Sequence, residues 1–221
     1  MMSRVVGENK MGIYNPNNRS NQNRKDQPTN NKDKKILSRK RVIQQQSEIQ
    51  KEANSANMAS IAGNWIEAAG AIITAIASTP SKTFTERTLT DLNLIGNVLE
   101  AGGTAIAAKG EEGTLNIVGE QIQAIGNIAV ITGILNTNER SSELLQKQGN
   151  LLQIVGMGMT IQTSGQLTFL ETITNIGNII QLIGSVIQVS ANMDTEEGIV
   201  INAIGGWIQA MGSVITALAT E

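Results

Sequence analysis

The sequence predicts an all-α fold: an array or bundle of about six antiparallel repeat helices behind a disordered basic N-terminal arm. Three observations predict it. Six glycine pairs recur at a separation of seven residues: Gly63/Gly70, Gly96/Gly103, Gly119/Gly126, Gly149/Gly156, Gly177/Gly184 and Gly205/Gly212. Each copy carries Glu or Gln four residues after its first glycine, at Glu67, Glu100, Gln123, Gln153, Gln181 and Gln209, and Ile or Leu three residues after it. Helix-start and helix-stop signals fall between the copies. Each repeat is therefore one helix of roughly 20 to 25 residues, and the short links favour antiparallel neighbours.

Taken in order, the chain divides near residue 40 into an arm (1–40) and a six-repeat domain (41–221). Val5, Val6, Met11, Ile13 and Tyr14 form a short apolar patch ahead of the segment 15–35, NPNNRSNQNRKDQPTNNKDKK. That segment contains no apolar side chain able to offset the entropy of ordering, so it is expected to be disordered. Charge is uneven too: residues 1–51 carry twelve Lys/Arg against four Asp/Glu, or +8, and residues 52–221 carry five against fifteen, or −10. The basic run Lys32, Lys34, Lys35, Arg39, Lys40 and Arg41 is expected to pair with the acidic body of another subunit or with an anionic surface such as lipid. It has no interleaved aromatics for base stacking, which argues against nucleic acid.

The first repeat, GNWIEAAGAIITAIA (63–77), runs into Ser78-Thr79-Pro80, where proline stops a helix. The second follows Thr83 and Glu86, spaced as a capping box, and ends before Gly110-Glu-Glu-Gly113, which separates it from the third. The fourth, fifth and sixth follow similar pairs, Asn136 with Glu139, Thr168 with Glu171 and Asp194 with Glu197. The last repeat, GGWIQAMGSVITALA (205–219), matches the first at nine of fifteen positions, with the two tryptophans, Trp65 and Trp207, in register.

The repeated glycines lie inside helices, because the apolar period runs straight through them, as at Ile173, Ile176, Ile180 and Ile187 around Gly177. Each costs about 0.8 to 1 kcal/mol relative to Ala, a cost that needs a structural return. On a helical wheel the paired glycines share one face. Beside them runs a narrow polar stripe, Asn64, Glu67 and Thr74 in the first copy and Asn178, Gln181, Ser185 and Gln188 in the fifth. Opposite lies an apolar arc of about 180°, wider than an ordinary surface helix carries, so each helix is expected to be covered on at least two sides. The glycines would let a neighbouring backbone come close, and the Glu or Gln beside them would serve that seam through hydrogen bonds.

Composition excludes much chemistry. The chain has no Cys and no His, which removes thiol and imidazole catalysis and structural zinc. Four of the six repeated Glu/Gln positions are neutral Gln, which cannot act as acid or base. Gly102-Gly103 and Gly205-Gly206 are mid-helix and lack the lysine of a phosphate loop, and the acidic links carry too few ligands for a calcium site. No catalytic, cofactor or metal site is expected. The first residues, MMSRVVGENKMGIYNP, lack the apolar run of a secretory signal, so synthesis in the cytoplasm without classical export is expected.

The phrase G-N-[WVLI]-[IL]-[EQ]-x-x-G resembles that of uncharacterised repetitive helical proteins of spore-forming, Bacillus-like bacteria, over about residues 60–220. The resemblance implies a helical repeat fold rather than an activity, and it is compatible with a spore-associated or released product. The motif departs from itself at Glu120 and Gly206, which replace Asn.

Two functional readings follow. In the first, uncovered faces of the end helices, which carry Trp65 and Trp207, meet head to tail and build an oligomer, filament or sheet. In the second, the protein is membrane-active or pore-forming, with apolar arcs toward lipid and Asn/Gln/Glu stripes lining a lumen. The interrupted apolar runs and the lack of aromatic belts favour the first.

Overall fold

The structure, a computed structural model, describes residues 31–111, 113–163 and 165–220. Six helices follow one another: α1 (Asn31–Ser78), α2 (Glu86–Ala107), α3 (Thr114–Ile134), α4 (Glu139–Thr160), α5 (Phe169–Ser190) and α6 (Glu196–Ala219). The chain forms two compact units, residues 1–50 and 51–221.

In the first unit α1 begins at Asn31, ahead of the expected boundary at residue 40. Lys32, Lys34, Lys35, Arg39, Lys40 and Arg41 thus lie on an exposed helical segment rather than on a disordered arm. Its Lys, Arg, Gln and Leu lose little rotamer freedom in a helix, and the hydroxyls of Ser38 and Ser47 donate to the carbonyls of Lys35 and Gln44. The apolar patch of residues 1–14 and the linker as far as residue 30 lie outside the described residues.

In the second unit the expected capping box of α5 is present. The Glu171 amide donates to Thr168 Oγ1, and Glu171 Oε2 accepts from the Thr168 amide. The other caps sit one or two residues from the expected places: Thr85 rather than Thr83, Asn138 rather than Asn136, and Thr195 rather than Asp194. Each of these side chains accepts from the amide three residues on, that of Thr88, Ser141 or Gly198, satisfying a donor that the helix start leaves free. Asn136 is used one step earlier, accepting from the Asn138 amide to shape the link. Gly113, before α3, has φ 89°, a left-handed conformation that favours glycine.

The helices pair into three antiparallel hairpins, and the glycines form their seams. Gly63 faces Gly103 and Gly70 faces Gly96 between α1 and α2. Gly119 faces Gly156 and Gly126 faces Gly149 between α3 and α4; Gly177 faces Gly212 and Gly184 faces Gly205 between α5 and α6. A methyl group built on Gly70 would stand 2.7 Å from the Gly96 carbonyl oxygen, and one on Gly126 2.6 Å from that of Gly149. Only glycine admits so close a backbone. The seams alternate with looser interfaces, so the spatial repeat is a two-helix hairpin used three times.

α2 packs on α3 and α4 on α5, and α6 returns to α1. Ala71, Ala75 and Ala210 form a small buried apolar cluster. Asn64 Nδ2 donates to Thr220 Oγ1 at 2.8 Å, and Trp207 Nε1 to Thr79 Oγ1 at 2.9 Å. The expected array or bundle of six antiparallel helices is present, and within residues 51–221 it closes into a ring. The first and last repeats touch inside one molecule, so the end helices α1 and α6 cover one another there rather than standing uncovered.

Each helix is covered on two sides, as expected, but the outward part of the apolar arc is not. The ring has one layer of helices, so each helix meets two neighbours and the axis, and among the described residues nothing packs on the outward face. Large apolar side chains stay exposed there on every helix, for example Ile72, Ile95, Ile128, Val155, Ile179 and Ile204. The buried hydrophobic residues are mostly alanines.

Candidate functional site

The ring buries its polar stripe. Glu100, Gln123, Gln153, Gln181 and Gln209 of the repeated Glu/Gln position are buried, and Glu67 is half-buried. Four of these side chains lie along the seam glycines. The aliphatic stem of Gln153 lies against Gly126, that of Gln123 against Gly156, that of Gln181 against Gly212 and that of Glu100 against Gly70. A glycine on one helix of a hairpin thus makes room for the long polar side chain of the other.

Their polar ends are tied mainly across the hairpins. Gln153 Nε2 donates to Asn127 Oδ1 at 2.7 Å, joining α4 to α3. The Thr74 hydroxyl donates to Glu100 Oε1 at 2.8 Å, joining α1 to α2. Gln181 Nε2 donates to Thr216 Oγ1 at 3.3 Å, that hydroxyl donates to Asn178 Oδ1 at 3.1 Å, and Asn178 Nδ2 donates to Thr160 Oγ1 at 3.2 Å. This chain of buried donors links α6, α5 and α4, and in a region shielded from water its members reinforce one another.

Polar space follows the axis. An inner cavity of about 90 Å³ is lined from all six helices, by Thr74, Asn97, Val130, Asn150, Gln188 and Asn202 among others. It shares Asn93, Gln146 and Asn202 with a larger opening of about 560 Å³, beside the links that follow α1, α3 and α5. A second chamber, of about 200 Å³, lies at the opposite end, where Glu111, Glu120, Thr160, Asn175 and Thr220 meet. The larger opening carries both charge signs, with Glu139 and Glu143 beside Lys147, whose ammonium lies 2.6 Å from Glu143 Oε1.

Trp65 and Trp207 face outward, 40% and 47% exposed. Wheel reasoning groups the amides and hydroxyls of the stripe but leaves their side of the ring undecided. Asn97, Thr104, Asn127, Thr160 and Thr216, all buried, join the stripe residues the sequence marks, among them Ser185. A usable signal was their place one, eight or eleven residues after a repeat glycine. Glu120 stands where most copies have Asn. It lines the second chamber, and its Oε2 is shielded from water with no hydrogen-bond partner. Among the described residues no group of three or more acidic side chains is gathered as a metal site.

Fold and lumen define a class, a closed ring of six helices with small and polar side chains inside and large apolar ones outside. Four of the helices, α1, α3, α5 and α6, are long and apolar enough to cross a membrane. Residues 58–217 match a family of unknown function (DUF6944), and the chain belongs to that family. No curated protein and no solved structure matches.

Proposed function

We propose that residues 51–221 act in a lipid bilayer, as a membrane-active helical ring whose Asn/Gln/Glu stripes line a polar lumen. The observation that carries this reading is the reversal of polarity: buried amides, hydroxyls and carboxylates inside, exposed Ile, Leu, Val, Met and Trp outside. Water-soluble domains bury such large apolar residues and leave amides exposed. At roughly 1 kcal/mol for each half-exposed side chain removed from water, covering roughly twenty of them is worth on the order of 20 kcal/mol.

Three features support lipid as the cover. The apolar face runs over all six helices, whereas a single protein partner would cover one side. Helices of 22 residues such as α2, α4 and α5 are about 33 Å long, close to the ~30 Å hydrocarbon core. Most exposed charges keep to the links and the first turns, as with Glu86, Arg87, Glu139, Arg140, Glu196 and Glu197; the exceptions are Lys51 and Glu52 within α1, and Asp91, Glu143 and Lys147 slightly further in. Between its first and last turns a helix pairs its backbone groups internally, as a bilayer demands.

Liposome co-flotation with an encapsulated dye tests this. The full chain is expected to float with neutral liposomes and release the dye. A chain that stays in the aqueous fraction and forms regular filaments or sheets in plain buffer would overturn the proposal in favour of self-assembly, with other copies covering the apolar face.

A further inference from the structure

We propose that the chamber where α2, α4 and α6 end is a cation-binding vestibule centred on Glu120, taking a small monovalent cation. This deepens the lumen reading and rests on it for the chamber's role, though not for its chemistry. Among the described residues, the titratable side chains lining the chamber are Glu111, Glu120 and Glu171, with no Lys or Arg beside them. The opposite opening sets Lys147 beside its acids, Glu139 and Glu143, so the chamber is the more acidic of the two ends.

The three carboxylates are not equivalent. Glu111 accepts at Oε1 from the Ser60 hydroxyl and at Oε2 from Asn116 Nδ2, each at 3.4 Å. Glu171 is engaged in the capping box of α5, its Oε2 accepting from the Thr168 amide at 2.6 Å. Glu120 alone of the three has a water-shielded oxygen with no donor. A shielded carboxylate keeps its charge only beside a counter-charge or several donors, and a cation in the chamber supplies that counter-charge.

The size and surroundings of the chamber select the cation. About 200 Å³ holds an ion with several waters, each occupying about 30 Å³. Asn64, Asn175 and Asn178 supply further oxygen-bearing groups to the wall. Three helices end here and two begin, so the net helix-dipole contribution is negative and favours a cation. A single unsatisfied carboxylate suits a monovalent ion, because divalent sites gather several carboxylates. The sequence marks the position as well, since Glu120 replaces the Asn of most other copies.

The test is rubidium-86 binding to the detergent-solubilised full chain, with helicity checked by circular dichroism. Wild type is expected to bind rubidium saturably. Glu120→Gln, of the same shape, is expected to lower affinity at least tenfold; Glu120→Asp should retain part of it, and Glu143→Gln at the other end should leave it unchanged. Equal binding by wild type and Glu120→Gln, or no saturable binding by a helical wild type, would overturn the proposal. Because the assay needs no bilayer, saturable Glu120-dependent binding by a chain that fails to float with liposomes would sink the membrane reading and keep this one.

Discussion

Gly126→Ala tests the seam with the smallest possible change. The added methyl would stand 2.6 Å from the Gly149 carbonyl oxygen, 2.9 Å from Gln153 Cγ and 3.0 Å from the Gln153 amide nitrogen. Ordinary contact begins at 3.4 Å, so α3 and α4 must part by about 0.8 Å at this rung. Two of the three obstacles are backbone atoms and cannot swing aside. Overfilling of this kind costs about 1 to 3 kcal/mol. Parting the helices also loosens the buried Gln153–Asn127 hydrogen bond, 2.7 Å long, worth about 1 kcal/mol. Against this, Ala gains about 0.8 to 1 kcal/mol over Gly in helix propensity. A net loss of about 1 to 2 kcal/mol is expected. Gly102→Ala is the matched control: Gly102 is also within a helix, is exposed, and has nothing within 4 Å of an added methyl. It is expected to gain up to about 1 kcal/mol. Denaturant unfolding followed by circular dichroism measures both, in the same detergent or lipid. If Gly126→Ala is stabilised as much as Gly102→Ala, the glycine seam is not a close contact and the packing argument fails.

Other substitutions probe separate parts of the molecule. Gly184→Leu, which sets a large side chain against the Gln209 backbone, should lose more than Gly126→Ala, about 3 kcal/mol or more, and an unchanged melting temperature would contradict the seam between α5 and α6. Thr168→Ala removes the capping box of α5 and should cost about 1 kcal/mol in the same unfolding assay. Trp207→Phe keeps the ring but loses the 2.9 Å hydrogen bond to Thr79, costing about 0.5 to 1.5 kcal/mol; no change would mean that this contact does not help close α6 on α1. Removing residues 1–40 deletes the basic run except Arg41 and should weaken flotation with anionic liposomes while leaving neutral ones unaffected. Equal flotation with both would show that the charges do not act on lipid.

The sequence by itself determined the number of helices, the interior position of their glycines and most of the linker chemistry. It did so because those features are local: a period of 3.6, a proline after Ser78, a glycine before Thr114, and Thr168 three residues ahead of Glu171. The other helix starts were blurred by one or two residues, since Thr83, Thr85, Asn136 and Asn138 are all chemically able to cap. Tertiary structure alone decided that Gly63 pairs with Gly103, that Ala210 comes back to Ala75, and that Gln153 and Asn127 point inward while Ile128 and Val155 point outward. A wheel groups residues by face but cannot say which face meets another helix. Here the thin glycine face lets two backbones approach most closely, and six helices closing in one layer leave the broad apolar arc on the outside.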